Sequence, residues 1–264
     1  MKYKALARQY PGKCAIVTGA GNGLGFGITE HLLKDGWKII GIDINVKLLC
    51  SITVPGLYVY ECDVADTEAY VKLLQAIIEK HEVDIIFNNA GVGEGTLFKN
   101  YSIENWSWII NINLKAVLAG CHVLINHFDS KQRGMIVNIA SAAGYSNLPK
   151  MSPYNVTKAA VISLSETLAH EVSGSNIRVK CVTPTFFRSD IMKHSKGEPD
   201  ILESANKVVA GSGLCSHRAA ERLLSRLHRS QDHIRFPISA HILFYTKQFL
   251  PSLFRFCVRM FLMK

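Results

Sequence analysis

The chain has 264 residues, of which 48% are hydrophobic and 19% charged, and it carries a formal net charge of +9. That length suits one large α/β domain or two small ones, and the composition excludes disorder on a large scale. The charge favours anionic partners, among them nucleic acid, anionic lipid and a phosphate-bearing cofactor, but says little about fold.

Lys13–Thr18 reads as a buried strand that ends in a glycine-rich turn, and the apolar spacing from Leu24 to Leu33 predicts a helix stopping near Gly36. Lys38–Asp43 and Leu57–Val64 are the next two strands, Asp66–Lys80 a helix, and Val83–Asn88 the fourth strand. A long helix is expected over Ile103–Phe128, then a strand over Gly134–Ile139, a helix over Ser152–Glu171 and a sixth strand over Ile177–Val182. Repeated β-α units with right-handed crossovers predict an α/β fold, one doubly wound parallel sheet flanked by helices across 1–264. After Pro184 the pattern loosens. Residues 186–230 read as a substrate-side region that includes a basic helix over Ser216–Arg229, and Ile234–Ile238 is the last candidate strand. The segment 239–264 is apolar, aromatic and basic, and is expected to add a C-terminal apolar helical extension. No run reaches the roughly 18 consecutive apolar residues of a membrane span.

The turn Thr18-Gly19-Ala20-Gly21-Asn22-Gly23-Leu24-Gly25 follows a strand and opens a helix. In that context Gly19, Gly23 and Gly25 permit a tight turn and close backbone approach, and the helix N-terminus faces a pyrophosphate. Asp43, at the end of the second strand, suits adenosine ribose hydroxyls and repels an extra phosphate. Ile44 and Asn45 follow it with no basic residue between them, so NAD is expected in preference to NADP. Asp63 and Val64 suit the adenine edge, and Asn89-Ala90-Gly91 brings backbone close to a ribose.

Ser141, Tyr154 and Lys158 have the spacing Ser-x12-Tyr-x3-Lys. Tyr154 and Lys158, four apart on a helix, share a face. A phenol titrates near pH ~10, too high for an efficient base near neutrality, and a neighbouring ammonium lowers that value. Tyr154 then exchanges a proton with the substrate oxygen, and the Ser141 hydroxyl steadies the charge that develops there.

Together these residues resemble the short-chain dehydrogenase/reductase family over about residues 11–190. The resemblance rests on TGAGNGLG at 18–25, Asp43, Cys62-Asp63-Val64, NNAG at 88–91, Asn113, Ser141 and Tyr154-Asn155-Val156-Thr157-Lys158. It implies a Rossmann-type oxidoreductase, with Lys158 also binding the nicotinamide ribose and Asn113 as a fourth catalytic member. Asn111 competes for that role by proximity, and the family's phase favours Asn113. Asn22, Leu24, Ile44, Pro184, Phe187 and Ser189 complete the implied cofactor contacts. Thr185 stands where relatives often have glycine, a departure that restricts the local backbone. The alternative is a non-enzymatic dinucleotide-binding sensor or structural protein, which damage at Ser141, Tyr154 or Lys158 would have favoured; all three are intact.

Ala142, Ala143, Tyr145, Leu148, Met151, Phe186 and Phe187 suggest an apolar pocket for a small alcohol or carbonyl. The ten histidines show no metal-binding arrangement and no metal is expected, nor is nucleic acid, since the basic residues are dispersed. The seven cysteines form no CxxC pair and read as thiols of a reducing compartment, giving a cytoplasmic expectation. A homodimer or homotetramer is expected. The run 249–264 suits peripheral contact with a membrane, and its rivals are a subunit interface or a cover over the active site.

Overall fold

A computed structural model of the chain describes residues 2–262. A short helix, α1 (Lys4–Gln9), precedes β1 (Cys14–Thr18), α2 (Gly23–Lys34), β2 (Lys38–Asp43), the one-turn α3 (Lys47–Cys50), β3 (Leu57–Glu61), α4 (Thr67–Lys80) and β4 (Ile85–Asn88). The chain continues through a two-residue strand, β5 (Glu94–Gly95), into α5 (Ile103–Ile110), a π turn at Asn111–Lys115, and α6 (Ala116–Lys131). Next come β6 (Gly134–Ile139), the short α7 (Ala143–Ser146), α8 (Ser152–Glu171) and β7 (Ile177–Pro184). The remainder is β8 (Lys196–Gly197), α9 (Pro199–Ala210), α10 (Ser216–Leu224), β9 (His233–Phe236), α11 (Ile238–Phe249) and α12 (Pro251–Leu262).

Seven parallel strands form one sheet in the order β3-β2-β1-β4-β6-β7-β9. The continuous apolar runs of the central strands follow from helices on both faces. Ala15, Val17, Phe87 and Val137 pack with Ile28 and Leu32 of α2 and Leu223 of α10. Ile16, Ile40, Ile86 and Ile136 point the other way, to Tyr70 and Leu74 of α4 and Leu124 and Phe128 of α6. Strand order reverses between β1 and β4, which opens a crevice at the carboxyl ends of these two strands.

The expected C-terminal apolar helical extension is not what the chain forms. The long apolar helix is internal, the continuous α5-π-α6 segment Ile103–Lys131, with mean hydropathy 1.6 over a window that is half buried. It satisfies the length and composition of a membrane span, which the search for unbroken apolar runs missed, but its apolar residues serve the sheet. Val117, Leu124 and Phe128 are all in the core. The C-terminal segment is instead two separate helices, because Pro251 cannot extend α11 and starts α12 at a position proline tolerates. Lys247, Arg255 and Arg259 interrupt the apolar residues there. Met263 and Lys264, the end of the tail, lie outside the described residues.

Other differences are local. The stretch after Pro184, where the pattern loosens, contains a regular helix, α9, which starts at Pro199, a position proline tolerates. The basic helix stops at Leu224 and the last strand at Phe236, just before Pro237.

Candidate active site

The turn after β1 is bound to the end of β4 by side chains. The Thr18 hydroxyl donates to the Phe87 carbonyl at 3.3 Å and accepts from the Asn89 and Ala90 amides at 3.0 Å each. The Asn89 amide group donates to the carbonyls of Thr18 at 2.8 Å and Gly19 at 3.2 Å. Gly19 and Gly23 have φ of +63° and +56°, the left-handed region that glycine adopts without strain. Gly25 is needed for space: a Cβ there would sit 2.6 Å from the Asn89 side-chain nitrogen, and closer still to the Gly19 carbonyl oxygen. Asn22 caps α2 by accepting from the Gly23 amide at 2.6 Å.

At the end of β2, the Asp43 carboxylate accepts from the amides of Gly21 at 2.7 Å and Asn45 at 2.9 Å. Both oxygens are therefore oriented and each keeps acceptor capacity. Asp63 accepts from Ala65 at 2.9 Å. Gly19, Asn22, Gly23, Leu24, Asp43, Ile44, Asp63, Val64 and Asn89-Ala90-Gly91 all line one cavity of about 800 Å³. This donor set fits a dinucleotide, with left-handed glycines at a helix N-terminus for the diphosphate and a fixed carboxylate for a ribose.

The same cavity is lined by Ser141, Tyr154 and Lys158, and by Pro184, Phe187 and Ser189 after β7. The Ser141 hydroxyl accepts from the Ala143 amide at 3.1 Å. The Lys158 ammonium lies 5.7 Å from the centroid of the Tyr154 ring and donates to the Ile139 carbonyl at 2.9 Å. Burial pushes the Tyr154 phenol up from its ordinary value, and a hydrogen bond with Ser141 pulls it back. Burial also brings the Lys158 ammonium down to about 8. The Ser141 hydrogen bond thus favours the phenolate against the effect of burial.

Two of the sequence candidates stand behind the cavity and do not line it. Gly25 packs inside the turn. Asn113 is fully buried on the π turn, where its side chain accepts from the Val92 amide and donates to the Val92 carbonyl, both at 2.9 Å. It thereby fixes the chain just past Gly91, and π turns are frequent at functional sites. Sequence reasoning missed Lys47, Glu94, Trp108, Met192, His194, Val209 and Leu243, which also line the cavity. Most come from segments with no motif. Leu243 was the hardest to foresee, because α11 reaches the site only through tertiary contacts. Tyr145 donates its hydroxyl to the Ala240 carbonyl at 2.8 Å and accepts, through its own carbonyl, from Lys247. Thr185, the departure from glycine, joins this contact: its hydroxyl bonds that of Ser239 at 2.8 Å and its amide donates to Phe236 at 3.1 Å.

The family model described as short chain dehydrogenase matches residues 13–200. A 3-oxoacyl-[acyl-carrier-protein] reductase of Thermotoga maritima is 31% identical over 185 residues, which cover 67% of this chain and 75% of that protein. Dehydrogenase/reductase SDR family member 4 of Bos taurus is 31% identical over 213 residues, 75% of each chain. In fold, the chain is similar to a short chain dehydrogenase/reductase from Burkholderia phymatum solved in complex with NAD, with a TM-score of 0.80, 24% identity, and coverage of 91% of this chain and 95% of that one.

Proposed function

The chain belongs to the short-chain dehydrogenase/reductase family of NAD(P)(H)-dependent oxidoreductases, which move a hydride to or from a small organic substrate, and from that premise we propose that it interconverts an apolar alcohol and its carbonyl compound with NAD(H) preferred. What supports this reading most is that Ser141, Tyr154 and Lys158 share one cavity with the glycine turn and Asp43.

In this reading the glycine turn, Asp43, Asp63 and the 89–91 backbone hold the dinucleotide, with Lys158 and Ser189 at its nicotinamide end. When bound, the nicotinamide gives or takes the hydride. Tyr154 donates a proton to the carbonyl oxygen during reduction and accepts it back during oxidation. Ser141 holds that oxygen and compensates its developing charge. Lys158 contributes positive charge beside the phenol, and Asn113 acts through the backbone at Val92. The raised phenol favours the protonated, donating form in the free protein.

The NAD preference rests on Asp43, whose carboxylate would repel a 2′-phosphate. Lys47 also lines the cavity and works against that preference. The apolar substrate rests on Leu148, Met151, Phe186 and Val209 in the cavity wall. A panel of alcohols and carbonyls graded by chain length, run in parallel with NAD(H) and NADP(H), tests both. We expect higher kcat/KM with NAD(H) and activity that rises with apolar bulk before steric exclusion. A preference for NADP(H) would overturn the cofactor assignment, and a panel turning over only small polyols would overturn the substrate class.

We read 1–264 as one catalytic unit that assembles as a homodimer or homotetramer, with 186–230 on the substrate side. We also assign a peripheral lipid contact to the exposed faces of α11 and α12. Ile238, Ile242, Tyr245 and Phe249 form one exposed stripe on α11, and Leu253, Phe256 and Met260 another on α12. No acidic residue follows Asp232, which suits an anionic bilayer. The double variant Phe249→Glu, Phe256→Glu is expected to lose co-sedimentation with anionic vesicles while remaining folded. Equal vesicle binding by both proteins would reject the contact, as would a shift of the wild type alone to a larger oligomer.

A further inference from the structure

Glu94 opens β5 and contributes to the cavity wall, as do Trp108, Met151 and Met192. It is only 3% exposed, and both carboxyl oxygens are buried with no hydrogen-bond partner. The nearest strand neighbour is Lys196, which stands opposite Glu94 in the β5–β8 pair. Its ammonium rests over the Trp108 ring, 4.3 Å from the centroid, and not on the carboxylate. Burial pushes the Glu94 carboxyl up to about 7, with the charge on Lys196 pulling the other way.

Leaving a carboxyl group buried without a donor is costly, and folded proteins rarely tolerate it. Here the cost is built into a well-held frame. β5 pairs with β8 on one side, and Thr96 bridges to Met151 next to it. A buried acceptor without a partner reads one donor and penalises its absence, the same asymmetry by which a buried polar group discriminates between substrates.

We propose that Glu94 is a specificity-determining residue, which accepts a hydrogen bond from a hydroxyl or ammonium group on the substrate remote from the reacting carbon. This rests on the alcohol/carbonyl reading of the site and refines its substrate class: an apolar body that carries one additional donor. Glu94 takes no part in the proton transfer at Tyr154. Its carboxyl, now orphaned, gains a partner when such a substrate enters and the side chain turns toward it.

The test compares a primary alkyl alcohol, its α,ω-diol and its ω-amino alcohol of equal chain length, on the wild type, Glu94→Gln and Glu94→Leu. The wild type should favour a donor-bearing compound by about tenfold or more in kcat/KM. Preference for the amino alcohol identifies an ammonium and should vanish in Glu94→Gln. Preference for the diol identifies a hydroxyl and should survive in part, since the amide oxygen still accepts. Glu94→Leu should bring either ratio close to one, through KM more than kcat. A ratio that Glu94→Leu leaves unchanged overturns the proposal. The melting temperature of the free protein supplies a second readout that needs no turnover. Removing an orphaned carboxyl should raise it by a few degrees in Glu94→Leu. A lower melting temperature would mean that the carboxyl is structural and would overturn the inference. If the wild type turns over none of these compounds, the functional reading falls, while the melting measurement still decides the status of Glu94.

Discussion

Tyr154→Phe is expected to slow the chemical step by about 100-fold or more, the usual contribution of a positioned general acid or base, while leaving dinucleotide binding largely intact. The substitution keeps the ring and its packing on α8 and deletes only the hydroxyl. That hydroxyl bonds Ser141 in the free protein. Single-turnover measurements separate the step from cofactor binding and product release. The pH dependence supplies a further check. Burial holds the phenol above its ordinary value, so the donating form needed for reduction predominates at neutral pH. Oxidation needs the deprotonated form, and its rate should climb as pH rises. Near-normal turnover by the phenylalanine variant, or an oxidation rate that falls across that range, would remove Tyr154 from the role.

Gly25→Ala should cost dinucleotide affinity by roughly 10- to 100-fold, which corresponds to an overpacking penalty of about 1–3 kcal/mol at the turn. The added methyl would meet the Asn89 side-chain nitrogen at 2.6 Å and the Gly19 carbonyl oxygen. Asn89 is the group that ties the turn to the end of β4, so the methyl forces apart two strand ends that together form the crevice. Equilibrium titration with NADH reads the affinity, and circular dichroism confirms that the sheet remains. Gly36→Ala is the contrasting control. It lies at φ +81° with nothing within 4 Å of its would-be Cβ, so it carries local strain without steric contact, and it should lower stability slightly without weakening NADH. Equal affinity in Gly25→Ala and the wild type would show that the turn tolerates the methyl.

The parts of this molecule that follow strict local rules were legible in the sequence. Buried strands such as Cys14–Thr18 announce themselves by apolar runs next to glycine, and the spacing of Tyr154 and Lys158 needs only helical geometry to be understood. The helix over Ser152–Glu171 matches the observed bounds. What escaped depends on tertiary contact. Ile103–Lys131 is apolar because it lies against the sheet, and a count of unbroken apolar residues does not register a helix with scattered polar positions. Pro199, in the stretch where the pattern loosens, is a helix start. The expected apolar extension of the tail is two helices divided at Pro251. In the site, Glu94 carries no motif, and its oddity is visible only once its oxygens are seen to be without partners. The hydrogen bond from the Lys158 ammonium to the Ile139 carbonyl likewise depends on the fold.

The cavity draws its two ends from different stretches of the chain. Its dinucleotide side is built mainly before residue 92, from the turns after β1, β2, β3 and β4. Its opposite side borrows from Trp108, Met151, Met192, Val209 and, from α11, Leu243. Of these, α11 enters through hydrogen bonds to Tyr145 and Thr185. Substitutions on α11 can therefore reshape what the enzyme accepts without touching the residues that hold its redox partner. Selection acting on substrate choice has a region of the chain nearly to itself, and a lineage can change its diet while its core chemistry stays fixed.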